Sequence, residues 1–337
     1  MSKRLCTCSI LFILTLTFFL LPFAYSVSAK DPSYPDRPIN YLLPYGAGGI
    51  VDLISRAFID TAGKYLGQTF VPINRPGGAG TVAAMAIATS KPDGYTLGTC
   101  TASQCLIAPS DPQTPYRNLD GFTFIMNFGG NTHGYISRSD APWKTWKEFI
   151  EWTKKHPGDV KVGITGAQYN NYSGLLLSQV EKKEKVKFTF IPFKSGSEIM
   201  TALLGGHIAL FGTAIDPNAM EFVKAGKARL LATYDVKLPG YEDVPTLTQF
   251  QYLPAGLTPH LLGVFGPKGL PNPIVEKLEG VFTKAAKDAE FVKIMNKMYV
   301  PAIYMNRKEM NAYIGTAFKE YGQMIKKVRE ELGAGKK

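Results

Sequence analysis

The feature that most constrains the fold is a regular alternation of short apolar segments with longer amphipathic segments along most of the chain. Strands are predicted at 39–43, 69–73, 95–101, 122–128, 160–164, 187–191, 207–211, 228–233 and 261–265. Helices are predicted at 51–66, 80–90, 145–155, 170–182, 196–204, 217–225, 272–287, 288–298 and 307–331. Such alternation is typical of parallel or mixed sheets with helices on both faces. The sequence therefore predicts an α/β fold class.

Ligands on such sheets bind where strands lead into helices, which points to residues 44–52, 164–173 and 211–218. In the first loop, Gly46, Gly48 and Gly49 allow a sharp turn and a close approach to a guest. The amide groups at the start of the following helix favour an anion such as a carboxylate. Glycine-rich turns also occur in many α/β folds that bind nothing there, and this alternative stays open.

The other two loops carry polar side chains. Thr165, Asn170 and Asn171 offer hydroxyl and amide groups, although they also suit a simple helix cap. In the third loop, Thr213 is a candidate donor to a ligand. Asp216 precedes Pro217, so we expect it to be the N-cap of a helix.

The N-terminus has the order of a secretory signal: Lys3 and Arg4, an apolar run over 10–23, then small residues up to Ala29. We expect residues 1–29 to be a signal peptide cleaved near Ala29, which places the mature protein in the periplasm. Cleavage after Ser26 and an uncleaved anchor are the alternatives.

Removal of residues 1–29 leaves 308 residues, enough for two domains, with a formal charge of +9. Such a charge attracts anionic solutes. The basic residues are scattered and lack interleaved aromatic residues, so no nucleic acid partner is expected. Cys100 and Cys105 are the cysteines that remain, and they form either a local disulfide or two free thiols.

Several stretches, taken in order, resemble the substrate-binding proteins of tripartite tricarboxylate transporters, also called the Bug family of extracytoplasmic receptors. They are YPDRPINYLLPYGAGGIVDLISR, NRPGGAGTVAAMAIATSKPDGYTL, IPFKSGSEIMTALLGGHIALFGT, AGKARLLAT and DVPTL. The resemblance covers nearly the whole mature chain, roughly residues 34–331.

The resemblance implies a type II periplasmic-binding-protein-like architecture, in which two α/β domains joined by hinge strands close over one small solute. Domain 1 would be discontinuous, over 34–132 and 260–337, and domain 2 would span 133–259. The solute would be a carboxylate held mainly by backbone amides, and the partners would be membrane transporter subunits. We expect a monomer.

Carried over onto this sequence, the resemblance assigns residues of the strand-to-helix loops to the ligand. The implied ligand-binding residues are Tyr45, Ala47, Gly48, Gly49, Ile50, Asp52, Thr165, Gly166, Ala167, Asn170, Asn171, Thr213 and Asp216. Asp52 would brace the turn or its waters, because a bare carboxylate facing an anionic ligand would repel it.

The second loop departs from the family pattern, since bulkier amide and phenol groups occupy residues 168–172. We hypothesise that these groups favour a ring-containing or amide-bearing solute over a plain di- or tricarboxylate. A binding preference for citrate over aromatic acids would contradict this hypothesis.

Signatures of catalysis are absent from the sequence. The four histidines are dispersed without other ligands at metal-binding spacing, and no nucleophile elbow or phosphate-binding loop occurs. We expect no enzyme activity, no cofactor and no metal. A sensor subunit for a membrane signalling partner and an exported hydrolase remain the alternative functions.

Overall fold

A computed structural model describes residues 34–331, except 111–113, 115, 117–118, 167, 169–170, 239 and 253–260. The strands and helices described below all belong to one compact unit of the chain, Arg37–Lys337. The predicted signal peptide lies outside the described residues, and so do the predicted site residues Ala167 and Asn170.

The observed elements follow the predicted alternation closely. The strands are β1 (Ile39–Leu43), β2 (Phe70–Asn74), β3 (Thr96–Thr101), β4 (Phe122–Gly129), β5 (His133–Arg138), β6 (Val160–Thr165), β7 (Phe188–Phe193), β8 (Leu210–Ala214), β9 (Ala228–Thr233) and β10 (Leu262–Pro267). The helices are α1 (Ile50–Leu66), α2 (Thr81–Ala88), α3 (Trp146–Lys155), α4 (Tyr172–Glu184), α5 (Gly196–Leu204), α6 (Pro217–Lys224), α7 (Asn272–Ala286), α8 (Ala289–Lys297) and α9 (Arg307–Glu331).

The strands form two five-stranded sheets, in the orders β2-β1-β3-β10-β4 and β7-β6-β8-β5-β9. We call the parts built on them the first lobe and the second lobe. In each sheet three neighbouring strands are parallel, and one strand, β10 or β5, runs antiparallel to both of its neighbours. The predicted α/β class is confirmed, with mixed rather than purely parallel sheets.

The chain crosses between the sheets twice, from β4 to β5 and from β9 to β10. The first crossing leads into β5 and the second into β10, which are the two strands that run antiparallel to their neighbours. Around the first crossing, Thr132 Oγ1 donates to the carbonyl of Tyr299 at 2.8 Å, and the amide of Ile215 donates to the carbonyl of Thr132. The predicted domain boundaries at 132/133 and 259/260 fall within these crossings and remain a prediction.

Strand β5 corrects the sequence analysis, which predicted no strand between 128 and 160. Residues 129–134 are glycine and polar residues, so the start of β5 lacks the apolar alternation by which a strand is predicted. Gly134 is needed there because an added Cβ would lie 2.4 Å from the Ile215 side chain. Close packing against the loop after β8, rather than periodicity, therefore accounts for this strand.

An aromatic cluster anchors the first lobe. Phe58 of α1 is fully buried and stacks on Phe128 of β4, with ring centroids 4.0 Å apart. It also contacts Phe282 of α7 and Phe291 of α8, so one side chain joins three helices to the sheet. Among the described helices, none is long and apolar enough to span a membrane.

We predict that Phe58→Ala lowers the free energy of unfolding by about 3–5 kcal/mol, because it leaves a cavity among packed rings. Tyr65→Ala, on the same helix, is the control, since this residue is 44% exposed and its replacement removes only an exposed hydrogen bond to Asp288 Oδ2. Urea unfolding of both variants checks the prediction. Equal losses would show that the ring cluster does not anchor the lobe.

Candidate functional site

A cavity lies between the lobes, where β1, β6 and β8 end and several helices begin. We call it the inner cavity. Its empty space is about 550 Å³ including open solvent at its mouth, of which about 40 Å³ admits the centres of water-sized molecules. The lining residues are Tyr45, Gly49, Ile50, Val51, Thr101, Ala102, Ser103, Asn131, His133, Thr165, Asn171, Tyr172, Ser195, Gly196, Thr213 and Ala214.

The glycine-rich turn before α1 is held in shape by Asp52. Its Oδ2 accepts the amide of Gly48 at 3.0 Å, and its Oδ1 accepts Arg56 Nε and Asn74 Nδ2, both at 2.8 Å. Asn74 Nδ2 also donates to the carbonyl of Tyr45. Because the Asp52 carboxylate is buried beneath the turn and paired with Arg56, it orients the turn without facing the inner cavity.

Three helices begin at the inner cavity. Gly49 and Ile50 lie at the start of α1, Asn171 at the start of α4, and Ser195 and Gly196 at the start of α5. The first amide groups of a helix have no partner within the helix and lie at the positive end of its dipole. Their convergence favours an anion in the inner cavity, where no described lining residue is Lys or Arg.

The polar side chains of the inner cavity are hydroxyl, phenol, amide and imidazole groups. Thr165 Oγ1 lies 3.4 Å from Thr213 Oγ1, and His133 Nδ1 lies 2.8 Å from Ser173 Oγ. Among the described lining residues, none is Lys, Arg, Asp or Glu. Burial raises the pKa of the Tyr45 phenol, which therefore stays protonated at neutral pH and can donate a hydrogen bond. The site thus offers donors and no opposing negative charge.

Hydrogen bonds join the two lobes around the inner cavity. The amide of Gly46 donates to the carbonyl of Lys194 at 3.1 Å. Ser197 Oγ donates to the carbonyl of Gly48 at 2.8 Å, and the amide of Tyr172 donates to Ser103 Oγ at 3.2 Å. The lobes are therefore in contact on several sides of the site.

Cys100 and Cys105 form a disulfide in which both residues are buried. The bridge encloses residues 101–104, and three of these line the inner cavity. The sequence analysis expected a local staple at most. The structure places that staple directly behind one wall of the site.

The structure brings together six of the predicted site residues. These are Tyr45, Gly49, Ile50, Thr165, Asn171 and Thr213, which all line the inner cavity. Ala47 and Gly48 lie exposed on the outer side of the turn, and Gly166 lines a neighbouring compartment. Ala167 and Asn170 are outside the described residues.

Asp216 caps α6 rather than lining the inner cavity. Its Oδ1 accepts the amide of Ala219 at 2.7 Å, as the sequence predicts for an N-cap. Its Oδ2 is buried and has no hydrogen-bond partner among the described residues. A Cβ added to Gly196 would lie 3.3 Å from that oxygen, so Asp216 stands just behind the wall formed by Gly196.

Several lining residues were missed by the sequence analysis. Ser195 and Gly196 follow β7 and open α5, and this strand-to-helix junction is the signal that could have predicted them. Ser103 lies in a turn after β3 that has no recognisable motif. His133 is one of the four dispersed histidines, in which the sequence shows no pattern that marks a ligand site. Asn131, on the first crossing, carried no signal at all.

Comparison with known proteins gives a consistent set of matches. The family model described as tripartite tricarboxylate transporter family receptor matches residues 54–329. A UPF0065 protein from the gbd 5′ region of Cupriavidus necator is 31% identical over 306 residues, covering 90% of this chain and 91% of that protein.

Solved structures match over the same span. The periplasmic binding protein BugD is 26% identical with a TM-score of 0.79, covering 88% of this chain and 98% of that one. MatC from Rhodopseudomonas palustris, solved with bound malate, has a TM-score of 0.77 at 23% identity, covering 87% of this chain and 100% of that one. At that identity the MatC match concerns the fold alone.

We predict that Asp216→Asn stabilises the protein at neutral pH. Burial raises the pKa of this carboxyl above its ordinary 3.8, so its charged form opposes folding, whereas Asn still accepts the Ala219 amide. The advantage of Asn should be present above the raised pKa and disappear as the pH falls to 3.8, because the wild-type carboxyl is then increasingly protonated. Asp216→Ala, which loses the cap, should cost about 1 kcal/mol relative to Asn.

Urea unfolding at pH 7.5 and at pH 4 measures these differences. A difference between wild type and Asp216→Asn that stays constant with pH would contradict the prediction.

Proposed function

Since this chain belongs to the tripartite tricarboxylate transporter receptor family, we propose that it is an exported solute-binding protein that captures a small carboxylate between its lobes for a membrane transporter. In this proposal the protein works in the periplasm and does no chemistry on the solute. The observation that carries it is the convergence of three helix N-termini on an inner cavity whose described lining residues include no Lys, Arg, Asp or Glu.

A carboxylate suits this cavity for electrostatic reasons. Backbone amides at helix N-termini donate short hydrogen bonds to anions, and the helix dipoles add a favourable field. Donors in a partly buried site act more strongly than in water. The positive net charge of the whole chain raises the local concentration of anions. MatC, a protein of the same fold, was solved with the dicarboxylate malate.

Capture would proceed by closure of the two lobes. A solute bound to amides of α1 in the first lobe and of α4 and α5 in the second bridges both lobes. It therefore binds the closed arrangement more tightly than an open one and shifts the equilibrium toward closure. The hydrogen bonds from Gly46 and Ser197 across the cleft form only in that arrangement, which a membrane partner would recognise.

A thermal-shift screen of protein that has been unfolded and refolded to remove co-purified solute tests the proposal. Carboxylates, their amides and neutral sugars are the probes. A carboxylate at about 100 times its dissociation constant should add about 2.7 kcal/mol of stability. A screen in which sugars shift the melting temperature and no carboxylate does would contradict the proposal.

We predict that Ile50→Pro weakens carboxylate binding about tenfold or more relative to Ile50→Ala. Both variants lose the isoleucine side chain, but only the proline variant also lacks the backbone N–H of residue 50, the first amide of α1. Proline is tolerated here because Ile50 is the first helical residue and Gly49 is extended, with φ −79° and ψ 163°. A hydrogen bond to a charged group contributes about 1.5–3 kcal/mol. Calorimetric titration should give equal affinities if this amide does not hold the solute.

Gly166→Ala should also weaken binding, because it obstructs closure. An added Cβ would lie 2.9 Å from Ala79 of the first lobe. Gly158→Ala is the matched control, since both glycines have φ of +86° and Gly158 has nothing within 4 Å. The two variants thus share the backbone strain and differ in the contact across the cleft.

We expect similar losses of thermal stability from the two glycine variants and a loss of carboxylate affinity of about tenfold or more from Gly166→Ala alone. Small-angle scattering with saturating carboxylate should show that Gly166→Ala stays more open than Gly158→Ala. Equal affinities for both variants would contradict the closure account.

A further inference from the structure

A second cavity shares the lining residue Tyr45 with the inner cavity, and we call it the outer compartment. Its walls include Gly77, Ala79, Gly166, Phe193 and Lys194, and Tyr45 lines both spaces. We propose that the outer compartment is a second subsite, which holds the aromatic body of a monocarboxylate whose carboxylate occupies the inner cavity. This inference rests on the proposed function and specifies the class of solute.

The sizes of the two spaces support this division. The outer compartment has about 290 Å³ for the centres of water-sized molecules, against about 40 Å³ in the inner cavity. A water needs roughly 10–15 Å³ on this measure, so the inner cavity holds about three waters. That is room for a carboxylate group and little more. A larger solute extends out of the inner cavity, and the outer compartment is a neighbouring space that shares Tyr45 with it.

The walls of the outer compartment favour an apolar body over a second anion. The Phe193 ring, the Tyr45 ring and Pro192 supply flat apolar surface, on which aromatic rings stack well. Lys194 and Glu198 both line the space, so opposite charges offset each other there. The backbone amide of Lys194 is engaged with Glu198 Oε2 at 3.0 Å. Among the described lining residues of the outer compartment, Lys194 is the one cation and Glu198 offsets its charge, so a second carboxylate gains little net attraction there.

Two residues that shape the outer compartment, Tyr45 and Ala79, are held in place by the surrounding structure. The carbonyl of Tyr45 accepts Asn74 Nδ2 at 2.9 Å, and its hydroxyl lies 3.2 Å from Thr101 Oγ1. The opposite wall is set by Ala79, whose left-handed backbone, with φ 56°, brings it against Gly166. A non-glycine residue in that conformation is uncommon and is maintained by its surroundings. Because Tyr45 and Ala79 belong to the first lobe and Gly166 and Phe193 to the second, the outer compartment is completed when the lobes close.

Calorimetric titration of the refolded protein with acetate, phenylacetate, succinate and citrate tests the inference. We expect phenylacetate to bind about tenfold or more tightly than acetate, because its ring leaves water for the outer compartment. It should also bind more tightly than succinate or citrate. Tighter binding of succinate or citrate would overturn the inference and leave the proposed function standing. If none of the four acids, nor any carboxylate in the thermal-shift screen, binds, both fall.

Phe193→Ala tests whether the outer compartment holds the aromatic ring of the solute, and Phe190→Ala is its matched control. Both rings are half-buried on β7, but only Phe193 lines the outer compartment. We expect Phe193→Ala to reduce the preference for phenylacetate over acetate about fivefold or more, whereas Phe190→Ala should leave that ratio unchanged. Because the readout is a ratio of two affinities in one variant, a general loss of stability does not mimic it. An unchanged ratio in folded Phe193→Ala would overturn the assignment.

Discussion

The first amide groups of α1, α4 and α5 need hydrogen-bond acceptors that their own helices do not supply, and the site is arranged around that need. Asp52 and Asn74 hold the turn that aims α1, while Asn171 and Ser195 cap α4 and α5 at the same cavity. The amides of Tyr172, Gly174 and Glu198 already donate to side-chain oxygens, so an anion would be held by the other first-turn amides, and no described lining residue is acidic. In the proposed function, recognition of charge would therefore come from the backbone rather than from an arginine or lysine clamp.

Small residues determine how closely the lobes approach each other. Gly46 brings its amide to the carbonyl of Lys194, and Gly166 leaves room for Ala79. The disulfide between Cys100 and Cys105 stabilises the wall that carries Ser103, whose hydroxyl accepts an amide from the second lobe. Gly46, Gly166 and Ser103 thus lie near the cavities and also contact the opposite lobe.

The sequence was informative where a local pattern is sufficient. The run from Ile39 to Phe58 encodes a strand, a flexible turn and a helix start through periodicity and glycine placement, and all three are present. It was uninformative where position comes from tertiary packing. β5 lacks periodicity, and Asn131 reaches the inner cavity only because the chain crosses between sheets there. Backbone donors also leave little trace in side-chain choice, so the second subsite emerges only from the shapes of the two cavities.

The central claim is that helix N-termini recognise the charge of a carboxylate. Calorimetric titration of the refolded protein with the best carboxylate and with its uncharged primary amide tests it directly, because the two solutes have nearly the same shape. Hydrogen bonds to charged acceptors are about twice as strong as those to neutral ones. The account predicts that the acid binds about a hundredfold or more tightly than its primary amide. The reason is that several backbone N–H groups would donate to a charged oxygen in the acid and to a neutral oxygen in the amide. Equal affinities for acid and amide would contradict it.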